Sequence, residues 1–421
     1  MTNILHLRGN FVIADLIVLR FQIIKINKLN LFLKSKIRFY QVVCMIGLLF
    51  IHNYNYAPLV ITPSTIVNGK STISEFIELF VSNSFLRFRL PLLMAISGYL
   101  MANSKELPFL QLFIKKFKSL MVPYFLISLI GLGLTVVFEF LIYGTHNSTG
   151  LLGKSLWHLD ISDFFNLIFV NPVSFQLWYL KTIFILALVS PIINYVLRRV
   201  SLEVLTLLFI VWMCSNQLGG DTRDRGYIFY ILGFYLRMYN INISKPFSFF
   251  KPIYALYLFI TICFIRTGFA FYSEYISHIK NVLTILYKLN EMLGLYACWF
   301  CFDNFVSIIV EKKWYKQTSS SSFFIFAFHA PLINYMGKFL LLKHFYIFSG
   351  SHILMYILIP LVLFPFLVLL DKLFHKYTPK FYLLFTGKRN QKQNEAYAKY
   401  PSPSIYNHTS EYSYLNIGLF I

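Results

Sequence analysis

The chain has 421 residues, of which 57% are apolar and only 13% charged, and its mean hydropathy is +0.62. A soluble domain carries about 25% charged residues, so a water-soluble fold of this length is excluded. The net charge of +21 does not point to nucleic acid, because the basic residues fall in short clusters between apolar runs rather than along one soluble domain.

The 46 Phe and 29 Tyr accompany abundant Ile, Asn and Lys, a coding bias that makes them weak evidence for a stacking site. All five cysteines (Cys44, Cys214, Cys263, Cys298, Cys301) lie inside apolar runs. Cys298 and Cys301 have CxxC spacing but no βαβ context and no second pair, so neither a disulfide framework nor a zinc site is expected.

In chain order, residues 1–39 form a basic, interfacial extension without a cleavable signal pattern. A membrane domain over 40–374 follows. A ruler of about 20 apolar residues per crossing predicts ten helices, at 40–58, 85–102, 119–142, 177–197, 201–217, 226–240, 252–272, 289–310, 322–341 and 351–371. Residues 375–421 read as a basic, flexible cytoplasmic tail. Placing both termini in the cytoplasm puts 26 of the 38 Lys and Arg on the inner side and only seven in outer loops, as the positive-inside rule requires. The expected fold class is thus an all-α polytopic membrane helix bundle.

Ionisable side chains within apolar spans are costly unless paired or solvated, so each is a functional candidate. The set is His52, Arg87, Arg89, Glu139, Lys181, Arg266, Glu291, Asp303, His329 and Lys338. Arg266, Lys338 and Glu139 sit near helix ends and are expected to snorkel to the headgroups. A helix starting near Tyr40 carries His52 just past the midplane. There it could share an outer polar cavity with Arg87, Lys181 and Glu291, while His329 belongs to the inner half with Asp303 and the lysines of 115–118.

Four segments resemble the acyltransferase 3 family of integral membrane enzymes. "VVCMIGLLFIHNY" is similar to the family's first helix, which ends on a histidine assigned to acyl transfer, here His52. "FLRFRLPLLMAISGYLM" looks like its Arg-x-x-x-Pro-Leu-Phe-Phe-x-x-Ser-Gly-Tyr-Leu run, matched by Arg87, Pro91, Ser97, Gly98 and Tyr99. "FIKKFKSLMVPYFL" resembles a basic amphipathic helix before Pro123 and Tyr124, and "LWYLKTIFILALVSPII" a Leu-Trp-Phe-Leu-Arg element. "SFFIFAFHAPL", with His329, is a weaker fifth match. The sequence departs from the pattern at Gln41, where an arginine is usual, at Lys181, which replaces an arginine, and at Arg89, where a small residue is usual.

The resemblance implies a membrane O-acyltransferase that takes an acyl group, acetyl by expectation, from a cytoplasmic acyl-coenzyme A. The acceptor would be a hydroxyl of a cell-surface or lipid-linked glycan, at a bacterial inner membrane, with no metal or prosthetic group. A base for the hydroxyl proton and a cation for the developing oxyanion are what this chemistry needs. His52 and Arg87 are the expected catalytic pair, with His52 as base or transient acyl carrier. Lys181, Trp178 and Glu291 are placed at the acceptor or oxyanion, and Arg38, Gln41, Lys116 and Lys118 at the donor. His329 and Ser97 have supporting positions. A glycan polymerase or flippase is a rival reading, but its long outer loop with catalytic arginines is absent. A secondary transporter, the other rival, would show symmetric halves.

Overall fold

The computed structural model describes residues 31–53, 72–102, 107–143, 159–200, 202–214, 226–272, 279–331 and 351–387, and no strand occurs among them. Helix α1 spans Leu31–His52. The second crossing, Ile73–Ala102, is composite: α2 (Ile73–Leu79), a π-helical turn (Phe80–Ser84), a 3-10 turn (Phe85–Phe88) and α3 (Arg89–Ala102). Then come α4 (Phe109–Lys116), a second π-helical turn (Phe117–Met121) and α5 (Val122–Tyr143). Short α6 (Ile161–Phe165) and a 3-10 turn (Phe175–Leu177) lead into α7 (Trp178–Leu197). Next are α8 (Leu202–Cys214), α9 (Gly226–Met238), α10 (Pro252–Tyr272), α11 (Ile279–Cys301), α12 (Asp303–Glu311) and α13 (Lys313–Ser319). The last are α14 (Ser322–Pro331), α15 (Ser351–Tyr377) and α16 (Pro379–Phe385).

Among the described residues, six helical stretches are long and apolar enough to cross a membrane, and a seventh if α11 and α12, bent by 60°, form one crossing. The described residues of the ten expected runs lie almost wholly on helices, and 13 residues each of α8 and α9 are described.

Helix α1 begins nine residues earlier than the sequence predicts and runs to His52. The expectation treated Lys34, Lys36 and Arg38 as loop charges. Lys36 is instead fully buried, its Nζ 2.5 Å from Asp303 at the break between α11 and α12 and 4.5 Å above the Trp299 ring. Tyr40 fixes the same junction by donating its hydroxyl proton to the Cys298 carbonyl. Asp303 therefore pairs with helix α1 rather than with the lysines of 115–118. His52 is 21 residues from Leu31, about 32 Å along the axis, so it stands at the end of α1 and not near its middle.

Without a hydrophobic drive between helices in lipid, close backbone approach at small residues carries the packing. Helices α3 and α9 meet this way. A Cβ on Gly98 would come within 1.9 Å of the Tyr230 carbonyl oxygen, and one on Gly233 within 1.9 Å of the Ala95 carbonyl oxygen. Lys288, expected in an outer loop, is buried in α11, where it donates to the Trp212 carbonyl at 2.5 Å and so satisfies the C-terminal end of α8.

The expected tail is in part packed structure. Tyr382 and Phe385 of α16 are buried, and Asp371 of α15 accepts hydrogen bonds from Tyr382 and from Ser321, both at 2.7 Å. Gly387 has φ +62° and lies so close to Ser119 that a Cβ would meet its carbonyl oxygen at 2.7 Å.

Gly98→Ala and Gly233→Ala should each cost about 3 kcal/mol or more, seen as a lowered Tm in detergent. Gly133→Ala and Gly268→Ala, where a Cβ meets nothing within 4 Å, should leave Tm unchanged or slightly raised. At the ion pair, Asp303→Asn strands a lysine with no exposure, whereas Lys36→Met leaves an aspartate that is 31% exposed. The first should cost about 3 kcal/mol and the second about 1 kcal/mol, an asymmetry that thermal unfolding of the two variants checks.

Candidate functional site

The second crossing loses its α-helical form over the sequence FVSNSFLRF, where Ser82, Asn83 and Ser84 are buried and are poor interior helix formers. A change of helical register frees backbone carbonyls, and at membrane depth each must find a partner inside the protein. Arg266 of α10 donates to the Asn83 carbonyl and, at 3.0 Å, to the Ser84 hydroxyl. Asn290 of α11 donates to the Ser84 carbonyl at 2.7 Å. Thr267 and Ser84 share a hydrogen bond of 3.0 Å. Arg266 is thus 2% exposed and does not snorkel, because the broken helix offers it acceptors inside.

The same break aims Arg87 and Arg89. Arg266 and Arg87 both lie against the Tyr287 ring, 4.8 and 5.8 Å from its centre. Glu291, one turn further along α11 and buried, is within electrostatic reach of Arg266, as is Arg87. Arg89 lays its Cδ against Gly47 of α1, where a Cβ would come within 3.4 Å. It is within electrostatic reach of Arg87 and of His329.

At the end of α1, the His52 ring stacks on that of His329, centroids 5.4 Å apart and planes at 26°. Phe175 meets its other side edge-on at 4.7 Å. His52 is half-buried and His329 fully buried. His329 Nδ1 is 2.8 Å from the Phe326 carbonyl and 3.2 Å from that of Ile325. Carbonyls only accept, so Nδ1 carries the proton and Nε2 presents a lone pair, with no hydrogen-bond partner among the described residues. Gln176 ties this corner together by donating to the Ala327 carbonyl at 2.8 Å. His329 therefore belongs with His52 and not in the opposite half with Asp303.

The remaining candidates divide. Ser97 is buried and hydrogen-bonds Tyr179 at 2.9 Å, joining α3 to α7. Gln41 is 2% exposed, its Nε2 without a partner among the described residues. It sits about 15 Å along α1, in the protein interior rather than at the helix start. Arg38 and Trp178 are half-buried, Lys116 buried and Lys118 exposed. Lys181 is exposed on α7 and does not join the Arg87–Glu291 group or the histidine pair. The Glu139 side chain and Lys338 lie outside the described residues. No group of three or more His, Cys, Asp or Glu that could hold a metal occurs among the described residues.

A cavity of about 230 Å³ lies at the other end of the bundle, lined by Ile37, Ile96, Tyr99, Phe229, Trp299 and Phe300 among others. Ile37 is about 22 Å along α1 from His52, so this apolar space is separate from the histidine pair. Sequence reasoning missed Lys36, Asn83 and Asn290. The available signal was a cluster of Ser and Asn inside an apolar run, which marks a break in a membrane helix.

The acyltransferase domain family pattern matches residues 36–376. No curated protein and no solved structure matches the chain. That single match takes in the histidine of α1, the broken second crossing and the helix of His329, and the chain is a member of the acyltransferase 3 family, an integral membrane acyltransferase.

Proposed function

We propose that the protein transfers an acetyl group from a cytoplasmic acetyl-coenzyme A to a hydroxyl of a cell-surface or lipid-linked glycan, with both termini in the cytoplasm of a bacterial cell. The observation that carries this is the half-buried His52 at the end of α1, held between Phe175 and His329 with arginines beside the pair. His52 takes the proton of the acceptor hydroxyl while its oxygen attacks the thioester carbonyl carbon. The carbonyl becomes an oxyanion, which collapses, breaks the carbon–sulfur bond and expels a thiolate that recovers the proton from His52.

Stacked beside His52, a neutral His329 with its proton fixed on Nδ1 tolerates an imidazolium forming there, which a second cation in its place would oppose. Arg87, 5.8 Å from the centre of the Tyr287 ring, is the expected ligand for acceptor or oxyanion. Trp178, at the start of α7, borders the acceptor side. Lys181, exposed on the same helix, would act at the entrance rather than at the reacting atoms. Lys116 and Lys118, at the π-helical turn before α5, with Arg38 and Gln41 on α1, are proposed donor contacts.

His52→Ala should abolish O-acylation of the surface glycan in cells, by at least 100-fold, while membrane insertion and Tm stay near wild type. Glycan mass spectrometry with and without the variant reads this directly, and undiminished acylation would remove His52 from the chemistry. A reporter fused after Gly387 should be cytoplasmic, and an external one would reverse the proposed orientation.

A further inference from the structure

Three guanidiniums gather at the broken crossing, and they are satisfied to different degrees. Arg266 is bound by the Asn83 carbonyl and the Ser84 hydroxyl and has Glu291 within electrostatic reach. Arg89 has neither kind of partner among the described residues. Its Nε is buried without a hydrogen bond, and the residue as a whole is half-buried. Its charged neighbour is another cation, Arg87. A cation without a carboxylate or hydrogen-bond partner at membrane depth is costly, and the half-buried guanidinium faces space that the fold leaves open. The stem is held in place, against Gly47 of α1, so the guanidinium is positioned and left open.

Position says what it is open to. Gly47 is five residues, about 7.5 Å along the axis, before His52, and Arg89 is within electrostatic reach of His329, the partner of His52. A coenzyme A diphosphate lies a whole pantetheine arm away from its thioester, so a group this close to the histidine pair meets the acyl end of the donor.

We infer that Arg89 is the ligand of the acyl oxyanion, supplied from the second crossing to the histidine pair at the end of the first. This rests on the acyl-transfer reading above. In the step already written, the thioester carbonyl oxygen gains the electron pair displaced by the attacking hydroxyl oxygen. Arg89 holds that negative charge by charge-assisted hydrogen bonds until the carbon–sulfur bond breaks. The cation that the resemblance leads one to seek at position 41, or at Arg38, is delivered here across the helix interface.

The test uses wild type, Arg89→Met and Arg89→Lys, each in cells and purified into nanodiscs. Glycan acylation is read by mass spectrometry, acetyl-coenzyme A affinity by calorimetry, and Tm by thermal unfolding. Arg89→Met should lower acylation about 100-fold or more, keep acetyl-coenzyme A affinity within about twofold because the oxyanion exists only during transfer, and leave Tm equal or higher because an uncompensated charge is gone. Arg89→Lys should retain intermediate activity, since the charge remains without the planar fork. Wild-type acylation by Arg89→Met overturns the inference, as does a fall in affinity that accounts for the lost activity, which would make Arg89 a donor-phosphate ligand. A lowered Tm overturns it as well, marking a structural arginine. If wild type itself acylates no glycan, the acyl-transfer reading fails, and the inference with it.

Discussion

Backbone carbonyls released inside a membrane have no water to turn to, and this constraint organises the centre of the protein. The second crossing changes helical form over Phe80–Phe88, and the carbonyls of Asn83 and Ser84 would be stranded there without Arg266 and Asn290. The position of α10 and α11 beside the break follows from that need. Cys263 of α10 and Asn290 of α11 share a hydrogen bond of 3.1 Å, and Gly294 of α11 admits Phe259 and Phe88 so closely that a Cβ would sit 2.7 Å from the first. The carbonyls freed at the break are thus held from two neighbouring helices, and the chain that carries Arg87 and Arg89 leaves it at a defined place.

The broad outline was legible because it depends on composition. Apolar runs long enough to cross a bilayer cannot be hidden, and the described residues of the expected runs are almost wholly helical. What could not be read were the cases in which two polar residues cancel across the fold. Lys36 looks like a loop lysine until Asp303, far along the chain, is seen against it. Lys288 looks like a loop residue until the open end of α8 is found at its ammonium. Arg266 looks like a headgroup anchor until the Asn83 carbonyl is known to be free. A hydropathy ruler scores residues singly, and it misplaces each of these for the same reason.

The histidine site was half legible. His52 stands out as an imidazole closing an apolar helix in a recognisable motif, and it lies within the span matched by the family. Its neighbour His329 was assigned to the wrong half because depth was counted from assumed helix starts. Moving the start of α1 to Leu31 shifts every level along it, and His52 then arrives where His329 and Phe175 wait.

The carboxylate of Asp371 has a bearing on that corner too. It is held by two hydroxyls, one from Tyr382 of α16 and one from Ser321, the residue just before α14. His329 is the eighth residue of α14. Asp371 therefore acts as a spacer between α16 and the helix whose imidazole stacks on His52. The histidine pair is built on a foundation that includes residues beyond the matched boundary at 376, so a chain cut at that boundary keeps both imidazoles and loses a strut behind the helix that carries one of them.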